Sequence, residues 1–256
     1  MKHMKHLVMA ICVVTLALCA FATAQAQTEV PLLAPMPLGA PFKALLPGFE
    51  AKTGYKVTAT YIPTLQMKDK VAQGQGADVN IMVPPYDEAM SSGNLDAKSS
   101  TTLASFVVAI VVGKGAAHPD VSTPDAVKKT LLAAKSFVSI DPATGSAGVA
   151  AQTVLNKLGI ADQVKDKIKL MPVGGALKAV TAGDGTFSLG PYVSDVRTND
   201  MVEGLALPAG AYTPTNIVGY VSSKASDAKA AKALLDYLMS PDAEAQYKSL
   251  GMQPAH

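Results

Sequence analysis

The chain has 256 residues and a formal net charge of +2, with 22 basic and 20 acidic side chains. This balance provides no strong basic field for a nucleic acid or a membrane surface. The length suits one large domain or two lobes.

The first 26 residues predict a secretory signal peptide. Two lysines precede an apolar stretch over residues 7–22, and Ala-x-Ala cleavage sites follow it. A membrane anchor is the alternative, but the stretch is shorter than the roughly 20 residues that a spanning helix needs. Cys19 resembles a lipoprotein acylation site, although Leu18 stands where such sites usually carry a small residue. We expect export to the periplasm with cleavage of this segment.

Cleavage changes the chemistry that the chain can perform. It removes both cysteines and two lysines, leaving about 230 residues with 20 basic and 20 acidic side chains. A chain without thiols has no disulfide, no thiolate metal site and no cysteine nucleophile. His118 and His256 are then the only histidines. We therefore expect neither a metal nor a cofactor.

Short apolar runs alternate with helical patterns in the first half of the mature chain, which is typical of α/β construction. Strands are predicted at 30–34, 55–62 and 77–83, and helices at 37–54 and 65–74. Pro47 is expected to kink the first helix or to start a second segment, and Gly54 to end it. The longest run typical of a strand, 101–115, could cross between lobes.

The second half repeats the alternation. Thr123-Pro124-Asp125 and Ser240-Pro241-Asp242 each predict a helix start, with the hydroxyl as cap and proline in the first turn. Strands are predicted at 135–140, 167–173 and 215–223, with a short strand after a break at Gly190-Pro191. Helices are predicted at 147–159, from Gly174 onward, and up to Gly251. The segment between 196 and 215 is polar and rich in turn residues.

Long predicted strands near positions 107 and 218 bracket the middle of the chain. They indicate two α/β lobes, each a mostly parallel sheet flanked by helices, joined by two hinge crossings. Lobe I is predicted to comprise 27–107 and 213–256, and lobe II 108–212. A cleft between lobes is a usual place for a small ligand, and hinge strands allow it to close.

The stretch SIDPATGSAG, residues 139–148, places small residues between a predicted strand and a predicted helix. Thr144, Gly145 and Ser146 would form the turn, where unpaired backbone N–H groups favour an anion and two hydroxyls could add donors. An ordinary helix cap with small residues for close packing is the alternative. Val173-Gly174-Gly175 repeats the arrangement one βα unit later, which favours anion binding more strongly.

Candidates for catalysis are few. There is no Walker loop, no GxGxxG helix entry and no readable Ser-His-Asp constellation. Arg197, the only arginine, could clamp a carboxylate or lie on the surface. Asp141 and Asp195 are plausible acid–base groups only if a cleft desolvates them, and turn or cap roles are favoured. The Tyr192 hydroxyl could face the cleft or pack, and His118 is interpreted as a loop residue.

Four segments resemble, in order and spacing, the periplasmic molybdate-binding family of type II solute-binding proteins. They are FEAKTGYKVT (49–58), KVAQGQGADVNI (70–81), DPATGSAGVAAQTVLNKLGI (141–160) and KAAKALLDYLMSPDAEAQYKSLG (229–251). The resemblance covers nearly the whole mature chain. It implies the two-lobed type II periplasmic-binding fold, a monomer that docks on an ABC importer, and a tetrahedral oxyanion held by hydroxyls and backbone amides.

The resemblance also implies which positions hold the ligand, and lobe I departs from the family there. A serine of the family is replaced at about Pro37, so Met36, Pro37 and Leu38 would form an apolar wall. Thr64 keeps one hydroxyl after the second strand. Pro84, in MVPP, follows the third strand, where the family usually has a serine and an acidic residue.

Lobe II keeps the implied pattern more closely. Ala147 falls where the family uses a backbone amide, Val173 falls near a second amide contact, and Tyr192 falls near the family's tyrosine. One wall of the cleft is therefore suited to an anion, whereas the other has become apolar.

These departures favour an organic carboxylate over molybdate. An oxyanion that loses hydroxyl donors is penalised by roughly 1 to 3 kcal/mol per missing partner. A carboxylate on the lobe II helix termini, with its carbon skeleton against Met36, Pro37 and Leu38, fits better, and a molybdate-type oxyanion is the alternative.

A second class of function stays open. DPATGSAG and the ending LGMQPA resemble a divergent branch of the family that includes periplasmic aconitate isomerases. Such an enzyme shifts a proton between two carbons of a tricarboxylate and needs only a positioned base and a closed cleft. A periplasmic binder that feeds a sensor is a further possibility.

Overall fold

The computed structural model describes residues 27–184, 186–192 and 194–255, without the side chains of Ser194 and Asp195. The predicted signal peptide, residues 1–26, lies outside the described residues. Within the described ranges, no helix has both the length and the apolar character needed to cross a membrane.

Strands and helices alternate along most of the described chain. The strands are β1 (Glu29–Pro35), β2 (Lys56–Ile62), β3 (Val79–Met82), β4 (Thr101–Phe106), β5 (Val108–Gly113), β6 (Phe137–Ile140), β7 (Ile168–Met171), β8 (Ser188–Pro191), β9 (Val202–Ala206), β10 (Thr215–Val221) and β11 (Met252–Pro254). The helices are α1 (Gly39–Thr53), α2 (Thr64–Ala72), α3 (Asp87–Ser91), α4 (Pro124–Ala133), α5 (Ser146–Lys157), α6 (Ala161–Val164), α7 (Gly175–Ala182), α8 (Ser194–Arg197), α9 (Ala228–Tyr237) and α10 (Pro241–Ser249). Short 3-10 turns lie at Met36–Leu38, Ala97–Ser99 and Lys165–Lys167.

The strands form two sheets. One has the order β11-β4-β10-β3-β1-β2 and the other the order β7-β6-β8-β5-β9. In the first sheet β1, β2, β3 and β4 run one way and β10 and β11 the other; in the second only β5 opposes the rest. The predicted two-lobed α/β fold is confirmed, with β10 and β5 introducing the antiparallel pairs. Lobe I and lobe II below denote the elements built on the first and second sheets.

The chain passes between the sheets at Val107. β4 ends at Phe106 in lobe I and β5 begins at Val108 in lobe II, so the predicted long run consists of two strands. The return connection is the segment 207–214, which joins β9 to β10. The exact lobe limits, 27–107 with 213–256 and 108–212, stay a proposal.

Apolar side chains cover both faces of each sheet. In lobe I, α1, α9 and α10 pack on one face, around Phe42, Leu234 and Tyr247, while α2 and α3 pack on the other, around Met67 and Tyr220. In lobe II, α4 and α5 cover one face and α7 the other. Sheets that are buried on both faces explain the nearly continuous apolar runs of their central strands.

The predicted helix ends are largely confirmed. The Thr123 hydroxyl accepts a hydrogen bond from the Ala126 N–H at 3.1 Å, and Ser240 caps α10 in the same way. Gly54 ends α1 with a left-handed φ of 76°. No second segment starts at Pro47, because α1 continues through this exposed proline to Thr53.

Candidate functional site

The carboxyl ends of the parallel strands in the two lobes approach the same crossing at Val107. In lobe I, β10 is antiparallel to both β3 and β4, so β1, β2 and β3 end at the same edge as β4. In lobe II, β5 starts at the crossing and runs antiparallel to β8, which is parallel to β6 and, through it, to β7. The loops after β1, β2, β3, β6, β7 and β8 therefore lie at the sheet edges nearest the crossing, which makes them the candidate walls of an interlobe cleft, the usual position for a ligand in α/β folds.

The turn between β6 and α5 presents two backbone amides toward this edge. The Asp141 carbonyl oxygen accepts hydrogen bonds from the N–H groups of Thr144 at 2.9 Å and Gly145 at 3.1 Å. It also accepts from the Thr144 hydroxyl at 3.0 Å. The amides of Ser146 and Ala147, in the first turn of α5, make no hydrogen bond to another described residue. These two N–H groups are therefore available to donate hydrogen bonds to a ligand.

This turn corrects part of the predicted donor set. Thr144 and Gly145 were expected to offer outward amides, and Thr144 also its hydroxyl, but Asp141 takes all three donors. The physical reason is the Asp-Pro-Ala-Thr turn, which closes on itself before the helix begins. The half-buried Ser146 keeps both its amide and its hydroxyl without a described partner.

Close packing brings the turns after β6 and β7 together. A Cβ atom built on the buried Gly145 would lie 3.0 Å from Cγ2 of Val173. A Cβ on Gly148 would lie 2.5 Å from the Pro142 nitrogen and closer still to the Ile140 carbonyl oxygen. Glycine at these positions therefore lets α5 begin directly against the end of β6 and beside Val173.

The turn between β7 and α7 is the second predicted amide source. Gly174 adopts a left-handed φ of 80° before α7, and the Gly175 N–H donates to the Pro172 carbonyl at 2.8 Å. The amides of Val173 and Gly174 make no hydrogen bond within the described residues. The Val173 side chain is 69% exposed. This turn is therefore accessible, and the Val173 side chain lies beside Gly145, the residue before Ser146.

The lobe I wall after β1 contains Met36 and Pro37 but not Leu38. Met36 is 58% exposed and Pro37 is exposed as well. Leu38 is 0% exposed and packs in the lobe I core, so its predicted place on the ligand wall is wrong. The 3-10 turn at Met36–Leu38 rotates successive side chains to different sides, which separates these neighbours.

Replacing Met36 by Ala should weaken ligand binding about 3- to 10-fold, because a carbon skeleton would lose part of its apolar contact. Met201, which is 62% exposed in lobe II, provides a matched Met201→Ala control that should not change affinity. Isothermal titration calorimetry measures both. Equal affinity of the wild-type protein and the Met36→Ala variant would contradict a ligand wall at Met36.

The turns after β2 and β3 supply Thr64 and Pro84, both half-buried. Thr64 is the first residue of α2, and its hydroxyl makes no hydrogen bond to any other described residue. Pro84 precedes Tyr86, whose hydroxyl lies 3.3 Å from that of Tyr220. Burial raises the pKa of Tyr86, so this phenol stays protonated and serves as a hydrogen-bonding group.

Tyr192 lies where β8 ends, beside the crossing, and contacts both lobes. Its N–H donates to the Val107 carbonyl at 2.7 Å, and its ring packs on Gly204. The Arg197 guanidinium carbon lies 5.2 Å from the ring centroid. A Cβ on Gly251 of lobe I would lie only 2.7 Å from the Tyr192 carbonyl oxygen. The sequence placed Gly251 only at a helix end and gave no role to Gly204, although both glycines let the tyrosine lie at the junction.

Lys68 is a basic residue near the candidate cleft that the sequence analysis did not single out. Lys68 lies on α2 one turn after Thr64 and is half-buried. The spacing of four residues from Thr64 is the signal that could have revealed it, since such residues share a helix face.

The predicted acid–base candidates have structural partners or lie outside the description. The Asp141 carboxylate accepts from the Ala143 N–H at 2.9 Å, which is a turn role. His118 Nε2 lies 2.6 Å from a Glu203 carboxylate oxygen, and this contact is the main reason why the pKa of Glu203 is lowered. Glu203 pairs with Val112, at the far end of β5 from the crossing. The Asp195 side chain is not among the described groups.

A separate cavity of about 670 Å³ lies beside β4 in lobe I. Its lining is uncharged, and Asn216 and Gln253 flank Ser105 on neighbouring strands there. None of the predicted ligand residues lines it. The interlobe edge, with its amides, is therefore the better candidate for an anion.

Comparisons with known proteins agree with this architecture. A model of the family described as bacterial extracellular solute-binding protein matches residues 30–253. An aconitate isomerase from Pseudomonas sp is 26% identical over 238 residues, 90% of each chain. The molybdate-binding protein ModA of Azotobacter vinelandii is 27% identical over 237 residues, 90% of this chain and 92% of that one.

Two solved structures show the same fold. The sulfate-binding protein SubI from Mycobacterium tuberculosis matches with a TM-score of 0.71 and 20% identity, covering 90% of this chain and 88% of its own. The Azotobacter vinelandii periplasmic molybdate-binding protein matches with a TM-score of 0.66 and 16% identity. The match covers 89% of this chain and 100% of that chain. Because the family model spans most of the chain, the protein belongs to the bacterial extracellular solute-binding protein family.

Proposed function

We propose that the protein captures a small organic carboxylate in the interlobe cleft and delivers it to an ABC importer from the periplasm. The observation that carries the proposal is the pair of Ser146 and Ala147 amides, which have no partner among the described residues and start α5 beside the Val173–Gly174 turn. In lobe I, the exposed Met36 and Pro37 follow β1 at the edge nearest the crossing. Backbone N–H groups at a helix start bind a negative group, and the helix dipole adds to the attraction. Export and transporter docking are proposed from family membership and from the periplasmic relatives.

The two walls make different demands on a ligand. The lobe II amides can each donate to a carboxylate oxygen, whereas Met36 and Pro37 offer no donor. A tetrahedral oxyanion presents oxygens on all sides, so those facing Met36 and Pro37 would lack partners at a cost of about 1–3 kcal/mol each. An organic anion presents a carbon skeleton there instead, which favours carboxylates over molybdate and sulfate.

The purified protein should be stabilised by small carboxylates and much less by molybdate. Thermal shift with succinate, citrate, cis-aconitate, molybdate and sulfate, each at equal ionic strength, ranks the ligands because binding to the folded state raises its stability. Titration calorimetry then gives the affinities. The opposite ranking, with molybdate first, would remove the organic-anion proposal.

A second candidate function is aconitate isomerisation on the same fold. The relative named aconitate isomerase, aligned over 90% of both chains, is the observation that favours it. A 1,3-proton shift needs a base within reach of the substrate carbon. Incubation with cis- or trans-aconitate, followed by chromatography, separates the functions. Interconversion supports the enzyme, and saturable binding without turnover supports the transport protein.

A further inference from the structure

Lys68 lies on α2, one turn from the sheet edge at which β2 ends. It lies on the same face of α2 as Thr64, whose helix begins where β2 ends at the cleft edge. Helical side chains lean toward the N-terminus of their helix. A lysine at this position can therefore reach back toward Thr64, and its electrostatic interaction with Asp87 places it near the start of α3, which follows the turn that contains Pro84.

The Lys68 ammonium is partly desolvated, and it forms no ion pair with a carboxylate of the described residues. It is half-buried where α2 packs against α3. Burial lowers the pKa of its ammonium, and the carboxylates of Asp69 and Asp87 partly oppose that effect. Neither acid forms an ion pair with it, and the described residues offer it no other ion-pair partner. A partly desolvated cation of this kind gains from an added anion.

We infer that Lys68 binds a second anionic group of the ligand, so that the ligand is a di- or tricarboxylate held by both lobes. This inference rests on the proposed function. One carboxylate lies on the Ser146 and Ala147 amides of lobe II, and another meets the Lys68 ammonium of lobe I. The carbon chain between them lies against Met36.

This arrangement explains how lobe I contributes to anion binding although Pro37 replaces a hydroxyl donor. An ammonium is a compact charge on a flexible stem, so it can follow carboxylates at different spacings. It attracts an anion without the fixed tetrahedral geometry that a ring of hydroxyls would impose. Specificity then depends on the number of carboxylates in the ligand.

The test compares tricarballylate, succinate and butyrate by calorimetry at constant ionic strength. The variants are Lys68→Met, which keeps the apolar stem, Lys68→Arg, which keeps the charge, and Lys70→Met. Lys70 is an exposed lysine on the same helix and serves as the control. Urea unfolding of each variant verifies that the fold is unchanged.

The wild-type protein should bind tricarballylate and succinate more tightly than butyrate. Lys68→Met should lose about tenfold in affinity for the first two ligands and little for butyrate, because one charge-assisted hydrogen bond is removed. Lys68→Arg should restore most of this loss, and Lys70→Met should behave as wild type.

Two failures are distinguishable. In the first, the wild-type protein binds these carboxylates and Lys68→Met binds tricarballylate and succinate as tightly as the wild type does. That result overturns the Lys68 inference and leaves the proposed function standing. If the wild-type protein binds no carboxylate, the proposed function falls and the inference falls with it.

Discussion

Replacing Ser146 by proline is expected to weaken ligand binding about 10- to 100-fold while leaving the stability of the fold nearly unchanged. The substitution removes one backbone N–H, and a hydrogen bond from that group to a charged ligand contributes about 1.5–3 kcal/mol. Proline is tolerated at the first helical position because the N–H there has no acceptor within the helix.

The local backbone already fits this proline. A residue before proline prefers extended angles, and Gly145 has φ −157° and ψ 143°. Within the same lobe, Thr123 with φ −138° and ψ 160° precedes Pro124 at the start of α4. Ala147 is a poorer target, because proline there would disfavour the helical conformation of Ser146.

A matched Ser146→Ala variant separates the amide from the hydroxyl. It keeps the N–H and removes only the side-chain oxygen, so its affinity should fall by at most about tenfold. Calorimetry with tricarballylate measures binding, and the urea midpoint measures stability. If Ser146→Pro binds as tightly as wild type, the amide does not hold the ligand. If both variants lose affinity equally, the hydroxyl carries the contact instead.

The sequence predicted strands and helices best where a periodic apolar pattern is followed or preceded by a turn or a helix-capping residue. β1 and β3 combine apolar runs with buried positions, whereas β2 is an edge strand with one buried residue, Val57. All three were predicted within a few residues. β9 was missed because Val202–Ala206 is a mostly half-exposed edge strand that pairs only with β5, so it lacks the apolar run of a central strand. β11, of three residues, is too short to show a period.

The turns of the candidate site were predictable in position, but their free hydrogen-bond donors were not all predictable. Strand–turn–helix order located the turns at Thr144–Ala147 and Val173–Gly174, because parallel strands end at one edge. The direction of each side chain in a turn depends on tertiary packing, which the sequence does not show. The Leu38 side chain is therefore buried in the core, whereas that of Met36 is exposed. Thr144 is a different case, since the Asp141 three residues earlier is a turn signal visible in the sequence.

Replacing Gly148 by alanine should damage both stability and binding. The new methyl would stand 2.5 Å from the Pro142 nitrogen and 2.8 Å from the Asp141 carbonyl carbon, and closest to the Ile140 carbonyl oxygen. These are backbone atoms that cannot rotate away, so α5 must shift from the end of β6. Overpacking costs about 1–3 kcal/mol or more, and the better helix propensity of alanine offsets only about 1 kcal/mol.

Gly190→Ala is the matched control, because a Cβ there meets no atom within 4 Å. Its free energy of unfolding should stay within about 0.5 kcal/mol of wild type. Urea unfolding and calorimetry on both variants measure the two effects. A shift of α5 also displaces the Ser146 and Ala147 amides, so Gly148→Ala should lose affinity even at a temperature where it is fully folded. Reduced stability with unchanged affinity would mean that the ligand does not bind at the start of α5.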